Sequence, residues 1–151
     1  MPRIHLETPI AADRERVFDL SIDVDVHMAS TAPSNERAVA GVTSGAMTLH
    51  DTVTWRARHF GVPWRLRSRI TQHERPHRFV DEMVSGPFRR WRHVHRFETT
   101  PTGTRMVDDV DYAAPFGLLG RMVEAVVLHD YMTRLLEARN AHIKAVAEGR
   151  P

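Results

Sequence analysis

The sequence contains no cysteine, one lysine (Lys144) and no long apolar run. The missing cysteine excludes disulfides, iron–sulfur clusters and thiolate catalysis. No apolar run approaches the ~20 residues that a transmembrane helix needs. The first 18 residues are charged throughout and lack the apolar segment of a signal peptide. We therefore expect a cytoplasmic protein without a membrane span.

What is present is typical of an ordinary soluble domain. Apolar residues make up 42% and charged residues 26% of the 151 residues, which predicts a single domain over residues 1–151. Lys and Arg total 21 against 19 Asp and Glu, a net charge of +2. No phosphate-binding loop, dinucleotide fingerprint or Ser/His/Asp signature is present. We therefore expect no cofactor.

Hydrophobic periodicity predicts an α+β protein with a curved antiparallel sheet, two short helices after the first strand and a long C-terminal helix. The predicted strands are Ile4–Ile10, Arg37–Gly41, Leu49–Phe60, 64–71, Arg78–Ser85, Trp91–Thr99 and Thr104–Tyr112. The predicted helices cover residues 11–23, Val24–Ser30 and Phe116–Glu148. Only the last helix is long enough to cover the apolar face of the sheet.

The sixth predicted strand has an unusual inner face. Successive side chains of a strand point to opposite sides, so Trp91, His93, His95 and Phe97 share one face. Two aromatic rings and two imidazoles together predict the wall of a cavity. The turn at 101–103 would place His95 opposite Asp108 and His93 opposite Val110, with Tyr112 on the same inner face as Asp108.

Several interpretations of these histidines remain open. A carboxylate beside an imidazole fixes its tautomer and raises its pKa, which makes His95 and Asp108 candidates for proton transfer. Alternatively, such pairs only satisfy each other inside the protein. Two imidazoles two residues apart can also share a metal with Asp81 or Asp108. No cysteine or third nearby histidine supports a metal, so we predict none.

The neighbouring strands supply further candidates. Asp81 shares a face with Met83, whereas Glu82 lies on the opposite face, and either carboxylate is compatible with an inward position. An inward Asp81 would pair with His93. Trp55 and Trp64 provide bulky walls for a pocket, although ordinary core packing explains them nearly as well.

Arginines alternate with these inward residues along three strands, which places them on the outer face of the sheet. They are Arg56, Arg58, Arg65, Arg67, Arg69, Arg92 and Arg96. A basic face can bind nucleic acid or an acidic membrane. Because that face has no aromatic residues for base stacking, we expect a solvated surface and no nucleic-acid partner.

Several motifs together resemble the START/Bet v 1-like superfamily, also called SRPBCC, and within it the bacterial polyketide cyclase/dehydrase-type proteins. The motifs are IAADRERVF at 10–18 with Asp23 and His27, Gly86-Pro87-Phe88, WRHVHRF at 91–97, Gly103-Thr104, and YAAPFGLLG at 112–120. The resemblance implies the helix-grip fold and a hydrophobic ligand cavity between sheet and C-terminal helix. Because the superfamily includes carriers, receptors and aromatase/cyclases, it does not imply one reaction.

We therefore expect the protein to bind a hydrophobic or aromatic small molecule, such as a lipid, polyketide or quinone-like compound, in a cavity of at least ~300 Å³. The expected ligand-binding residues are Trp55, Trp64, Asp81, Met83, Trp91, His93, His95, Phe97, Asp108, Tyr112, Leu119 and Met122. One alternative is a cyclase or dehydrase that uses His95 and Asp108, and another is an interaction module that uses the basic surface. The oligomeric state stays open.

Overall fold

The computed structural model describes residues 3–59, 61–114, 122 and 127–149. Its strands are β1 (Arg3–Ile10), β2 (Arg37–Gly41), β3 (Thr52–His59), β4 (Val62–Glu74), β5 (Arg78–Ser85), β6 (Arg90–Thr100) and β7 (Gly103–Ala113). Its helices are α1 (Arg14–Ser21), α2 (Val24–Ser30), one 3-10 turn (Ala32–Ser34) and α3 (His129–Ala147).

All seven strands form one antiparallel sheet in the order β1-β7-β6-β5-β4-β3-β2. β1 and β2 are therefore the two edges, and α1 and α2 carry the chain from one edge to the other. The predicted α+β helix-grip architecture is confirmed.

The two short helices begin at aspartates that cap them. The side chain of Asp13 accepts a hydrogen bond from the backbone N–H of Arg16, and Asp23 accepts one from Val26. Each bond satisfies a backbone donor that the first helical turn leaves unpaired. Val17 and Phe18 of α1 are fully buried in the apolar core beneath the sheet, so this helix is held by packing as well as by its cap.

The β6–β7 hairpin sets the register that matters most for function. As predicted, His95 lies opposite Asp108 and His93 opposite Val110. The hairpin turns at Gly103, whose φ is +149°. A Cβ atom there would overlap the carbonyl oxygen of Ile10 and lie 2.9 Å from the backbone nitrogen of Ala12. Glycine is therefore required where the turn passes the end of β1.

The C-terminal helix lies against β1, α1 and α2. Its buried face carries Leu136, Arg139, Asn140, Ile143 and Ala147, the i, i+3, i+4 and i+7 spacing of a single helix face. The helix ends at Ala147 as expected, and Met122 is also helical. The predictions for 116–121 and 123–126 lie outside the described residues. Among the described helices, none combines the length and apolar character needed to cross a bilayer.

One predicted strand is too long. β3 begins at Thr52 rather than Leu49, and Leu49 is 46% exposed. The cause is local, because Asp51 accepts hydrogen bonds from both the backbone nitrogen and the hydroxyl of Thr48, at 2.8 and 3.1 Å. This turn keeps Leu49 off the inner face. Phe60, the predicted end of the strand, lies outside the described residues.

The predicted arginines lie on the outer face of the sheet. Those on one half are exposed, whereas those on the other half have acidic neighbours. On β3 and β4 the side chains of Arg56, Arg65 and Arg67 are exposed. On β6, by contrast, Arg92 lies 3.7 Å from Glu82 and Arg96 lies 3.0 Å from Asp109. The excess positive charge of the sheet is therefore concentrated on β3 and β4.

Candidate ligand cavity

A cavity lies between the concave face of the sheet and the helices α1, α2 and α3, with a volume of about 170 Å³. Aromatic and aliphatic side chains form most of its wall. They include Trp55, Trp64, Phe79, Phe88, Trp91 and Leu136. This volume is smaller than the minimum of ~300 Å³ that was predicted for the ligand site, so that prediction is wrong. Three tryptophans point into the space, and their bulk reduces it.

The residues expected to bind ligand fall into four groups. Those that line the cavity are Trp55, Trp64, Asp81, Trp91, His93 and His95. Phe97, Asp108 and Tyr112 are buried in the surrounding core, and Met83 is partly buried against the apolar cluster that contains Tyr112. Met122 is 65% exposed, so its side chain is directed to solvent. Leu119 lies outside the described residues.

The two histidines pair with aspartates diagonally rather than straight across the strands. His93 Nε2 lies 2.7 Å from Asp108 Oδ1, and His95 Nε2 lies 2.7 Å from Asp81 Oδ2. The predicted contact of His95 with Asp108 is present but longer, because His95 Nδ1 lies 3.4 Å from Asp108 Oδ1, and the backbone register is as predicted. The predicted pair of Asp81 with His93 is wrong, because His93 bonds to Asp108 instead. Diagonal neighbours across a sheet lie within reach of long side chains, and each imidazole reaches past its direct neighbour.

Both aspartates in these pairs belong to the inner face. Asp81 lines the cavity, whereas Glu82 points outward beside Arg92, which resolves the orientation left open by the sequence. The rings of His93 and His95 stack with centroids 3.6 Å apart. This arrangement ties β5, β6 and β7 together through side chains as well as through backbone hydrogen bonds.

The helix α3 completes this buried polar network. Asn140 Nδ2 donates to Asp108 Oδ2 at 2.8 Å, and Arg139 Nη1 lies 3.4 Å from Asp108 Oδ1. Arg139 also donates to Asn140 Oδ1 at 2.9 Å. Neither Arg139 nor Asn140 was predicted from the sequence to belong to the site. Their spacing from Leu136 and Ile143 was the available signal, because it places them on the buried face of the helix.

Burial and hydrogen bonding set the charges of the network. Burial lowers the pKa of His93 to about 4, with His95 adding to the effect and Asp108 opposing it. Burial alone would raise the pKa of Asp108, but its bonds to the imidazoles and the nearby Arg139 hold that pKa well below its usual value. His93 is therefore neutral and Asp108 ionised at neutral pH. Burial therefore outweighs the carboxylate, although Asp108 by itself raises the pKa of His93 as a carboxylate is expected to do.

Asp81, His93 and His95 place one potential metal-ligand atom each within 4.8 Å of one another. Two imidazoles and a carboxylate are a common metal-binding set. Here, however, both Nε2 atoms already pair with carboxylates, and Arg139 Nη2 lies 3.4 Å from His95 Nδ1. A guanidinium so close repels a metal cation, so the arrangement favours a hydrogen-bonded network.

A second polar group lines another part of the cavity and was missed by the sequence analysis. It consists of His27, Glu36, His59 and Tyr131. His59 Nδ1 lies 2.6 Å from the Tyr131 hydroxyl, and His27 Nε2 lies 3.5 Å from Glu36 Oε1. Because these residues come from four separate segments, no local sequence pattern joins them.

The sequence and the fold are both similar to those of known proteins. A family model described as "Polyketide cyclase / dehydrase and lipid transport" matches residues 1–148. A Thermus thermophilus protein structure shares 20% identity, with a TM-score of 0.75 over 97% of this chain and 99% of that one. A START superfamily protein from Mycobacterium smegmatis shares 13%, with a TM-score of 0.71 over 95% and 98%.

Plant proteins adopt the same fold. The major latex-like protein 151 of Panax ginseng is 15% identical, with a TM-score of 0.69 over 97% of each chain. At such identities the solved structures establish the fold alone. No curated protein matches the sequence.

Proposed function

Since the chain belongs to the polyketide cyclase/dehydrase and lipid transport family, we propose that it binds a small hydrophobic or aromatic molecule between the sheet and α3. The observation that carries this proposal is the cavity itself, whose wall is mostly aromatic and aliphatic and in which polar side chains form two separate groups. Ligand sites are typically concave and mostly apolar, with a small number of polar groups that orient the ligand.

The volume limits the size of the ligand. A cavity of about 150 Å³ lined by aliphatic and aromatic residues accepts a benzene ring, so about 170 Å³ suits a compact molecule with one small ring system. An extended lipid chain requires more space than this conformation provides. Burying roughly 150 Å² of apolar ligand surface would contribute roughly 4 kcal/mol before the costs of association.

Filling the cavity tests this proposal. Ala57 is 95% buried on β3 and lines the cavity, so Ala57→Leu should occupy part of the space and weaken binding of toluene or indole at least tenfold. The matched control is Ala40→Leu, which makes the same change at an exposed position of β2, opposite Thr54 and outside the cavity wall. Isothermal titration calorimetry measures both. Unchanged affinity in Ala57→Leu would contradict binding at this site.

A second candidate function is proton transfer on a polyketide-type substrate. The specific observation in its favour is the His95–Asp81 pair, 2.7 Å apart in the cavity wall. Asp81 is the closer of the two carboxylates that contact the candidate base, since Asp108 lies 3.4 Å from His95 Nδ1. In this case His95→Gln should retain ligand binding and abolish turnover of a poly-β-keto substrate, and normal turnover in that variant would exclude the role.

A further inference from the structure

The charge of the cavity is opposite in sign to that of the whole protein. Its wall carries three carboxylates, Asp23, Glu36 and Asp81, and one guanidinium, Arg139. Counting the carboxylates and the guanidinium alone, the wall therefore has a formal net charge of −2, in a chain whose net charge on the same counting is +2. Arg139 is moreover close to Asp108 in the adjacent core, which leaves little of its positive charge for a ligand.

Glu36 is the carboxylate of this wall with the weakest compensation. Asp23 accepts the capping hydrogen bond of α2, and Asp81 is bonded to His95 at 2.7 Å. The groups that stabilise the charge of Glu36 are the imidazoles of His27, at 3.5 Å, and His59, together with the Thr31 hydroxyl, and its side chain is 17% exposed. Within the described ranges no arginine or lysine forms an ion pair with it. A largely buried carboxylate that has imidazoles as its only charged neighbours there lacks a permanent cationic partner.

Its surroundings are those of a cation-binding site. Trp55 and Tyr131 both line the cavity, and the ring of His27, which is 3.5 Å from Glu36, lies against Trp55 with centroids 4.3 Å apart. Burial and the charge of the nearby Glu36 raise the pKa of Tyr131. Although burial favours its protonation, the neighbouring His27 holds the pKa of Glu36 below its usual value. Burial lowers the pKa of His59, which keeps that imidazole neutral. An ammonium group here would gain both an ion pair and attraction to aromatic faces.

We propose that the ligand is a small aromatic amine or ammonium compound whose positive charge is bound by Glu36, beside Trp55 and Tyr131. This inference rests on the function proposed above, because it specifies the ligand of the same cavity. The net negative wall disfavours carboxylate ligands such as fatty acids, whereas a protonated amine neutralises Glu36 when it binds.

Three probes with the same ring and different charge test the inference: benzylamine, benzyl alcohol and benzoate. In calorimetry at pH 7.5, benzylamine should bind with at least tenfold higher affinity than benzyl alcohol. Benzoate should have the lowest affinity of the three. Glu36→Gln should reduce the affinity for benzylamine to that for benzyl alcohol and leave benzyl alcohol unchanged. Glu82→Gln is the matched control, because Glu82 is an outward carboxylate beside Arg92, and it should retain the preference for the amine.

The outcomes separate this inference from the proposed function. Equal binding of amine and alcohol by the wild-type protein would overturn the charge preference and leave the cavity as a neutral ligand site. Absence of binding by all three probes would count against both. Binding of benzyl alcohol by Glu36→Gln shows that the variant is folded. If Glu36→Gln does not fold, Trp55→Leu supplies the second test, because it removes an aromatic face beside Glu36 and should reduce the ratio of benzylamine to benzyl alcohol affinity. An unchanged ratio in a folded Glu36→Gln or in Trp55→Leu would overturn the inference.

Discussion

Asp108 is the residue on which the buried network depends, because it accepts hydrogen bonds from His93 and Asn140 and lies beside Arg139. Asp108→Asn leaves the Arg139 guanidinium buried without its carboxylate, so we expect a loss of about 3–5 kcal/mol in the free energy of unfolding. Asp111→Asn is the control, since it removes a pair with the exposed Arg3 and should cost about 1 kcal/mol or less. Urea denaturation measures both, and equal losses would contradict this account.

His93 predicts a specific dependence of stability on pH. Its pKa is about 4 in the folded protein against about 6.5 in an unfolded chain. Because the unfolded state binds the proton more readily, stability should fall by on the order of 3 kcal/mol as the pH decreases from about 6.5 to about 4. The lowered pKa of Asp108 acts in the same direction, but only at still lower pH.

Denaturation at several pH values measures this effect, with His93→Gln as the test and the exposed His77→Gln as the control. The loss between pH 6.5 and 4 should be smaller in His93→Gln and unchanged in His77→Gln. The same slope in both variants would assign the effect to other groups.

At the scale of elements, the β6–β7 hairpin fixes the alignment of the site. Gly103→Ala would force a methyl group against the end of β1, and we expect a loss of about 2–3 kcal/mol. Gly61→Ala is the matched control, because Gly61 also has a positive φ but its Cβ would meet open space. It should cost about 1 kcal/mol. Thermal denaturation of the two variants measures the difference. Equal decreases in Tm would show that crowding against β1 does not matter.

The elements also show how far a sequence can predict a site. The alternation along β6 and the turn at Gly103 were sufficient for the register of His95 with Asp108, because backbone spacing controls it. The diagonal pairs depend on side-chain reach and packing in three dimensions, which periodicity does not contain. Arg139 was missed because a charged helical residue usually marks the solvent face, and Glu36 because its neighbours come from distant segments.

At the scale of the molecule, all three tryptophans of the sequence line one cavity. Intrinsic fluorescence therefore reports the occupancy of the cavity directly. A ligand at 100 times its dissociation constant should stabilise the protein by about 2.7 kcal/mol and raise the Tm by roughly 5–10 °C. Parallel fluorescence and thermal titrations check this, and a Tm increase without a fluorescence change would place the ligand elsewhere.

The burial of the bond between His93 and Asp108 also determines how slowly the imidazole proton exchanges with solvent. An imidazole proton exchanges with bulk water only when it becomes exposed, and His93 and Asp108 are both almost fully buried between the sheet and α3. Exchange then requires a local opening that separates the helix from the strands. The lifetime of this one proton is therefore at least as long as the interval between such openings, and its measurement gives an upper limit to the rate at which α3 separates from the strands.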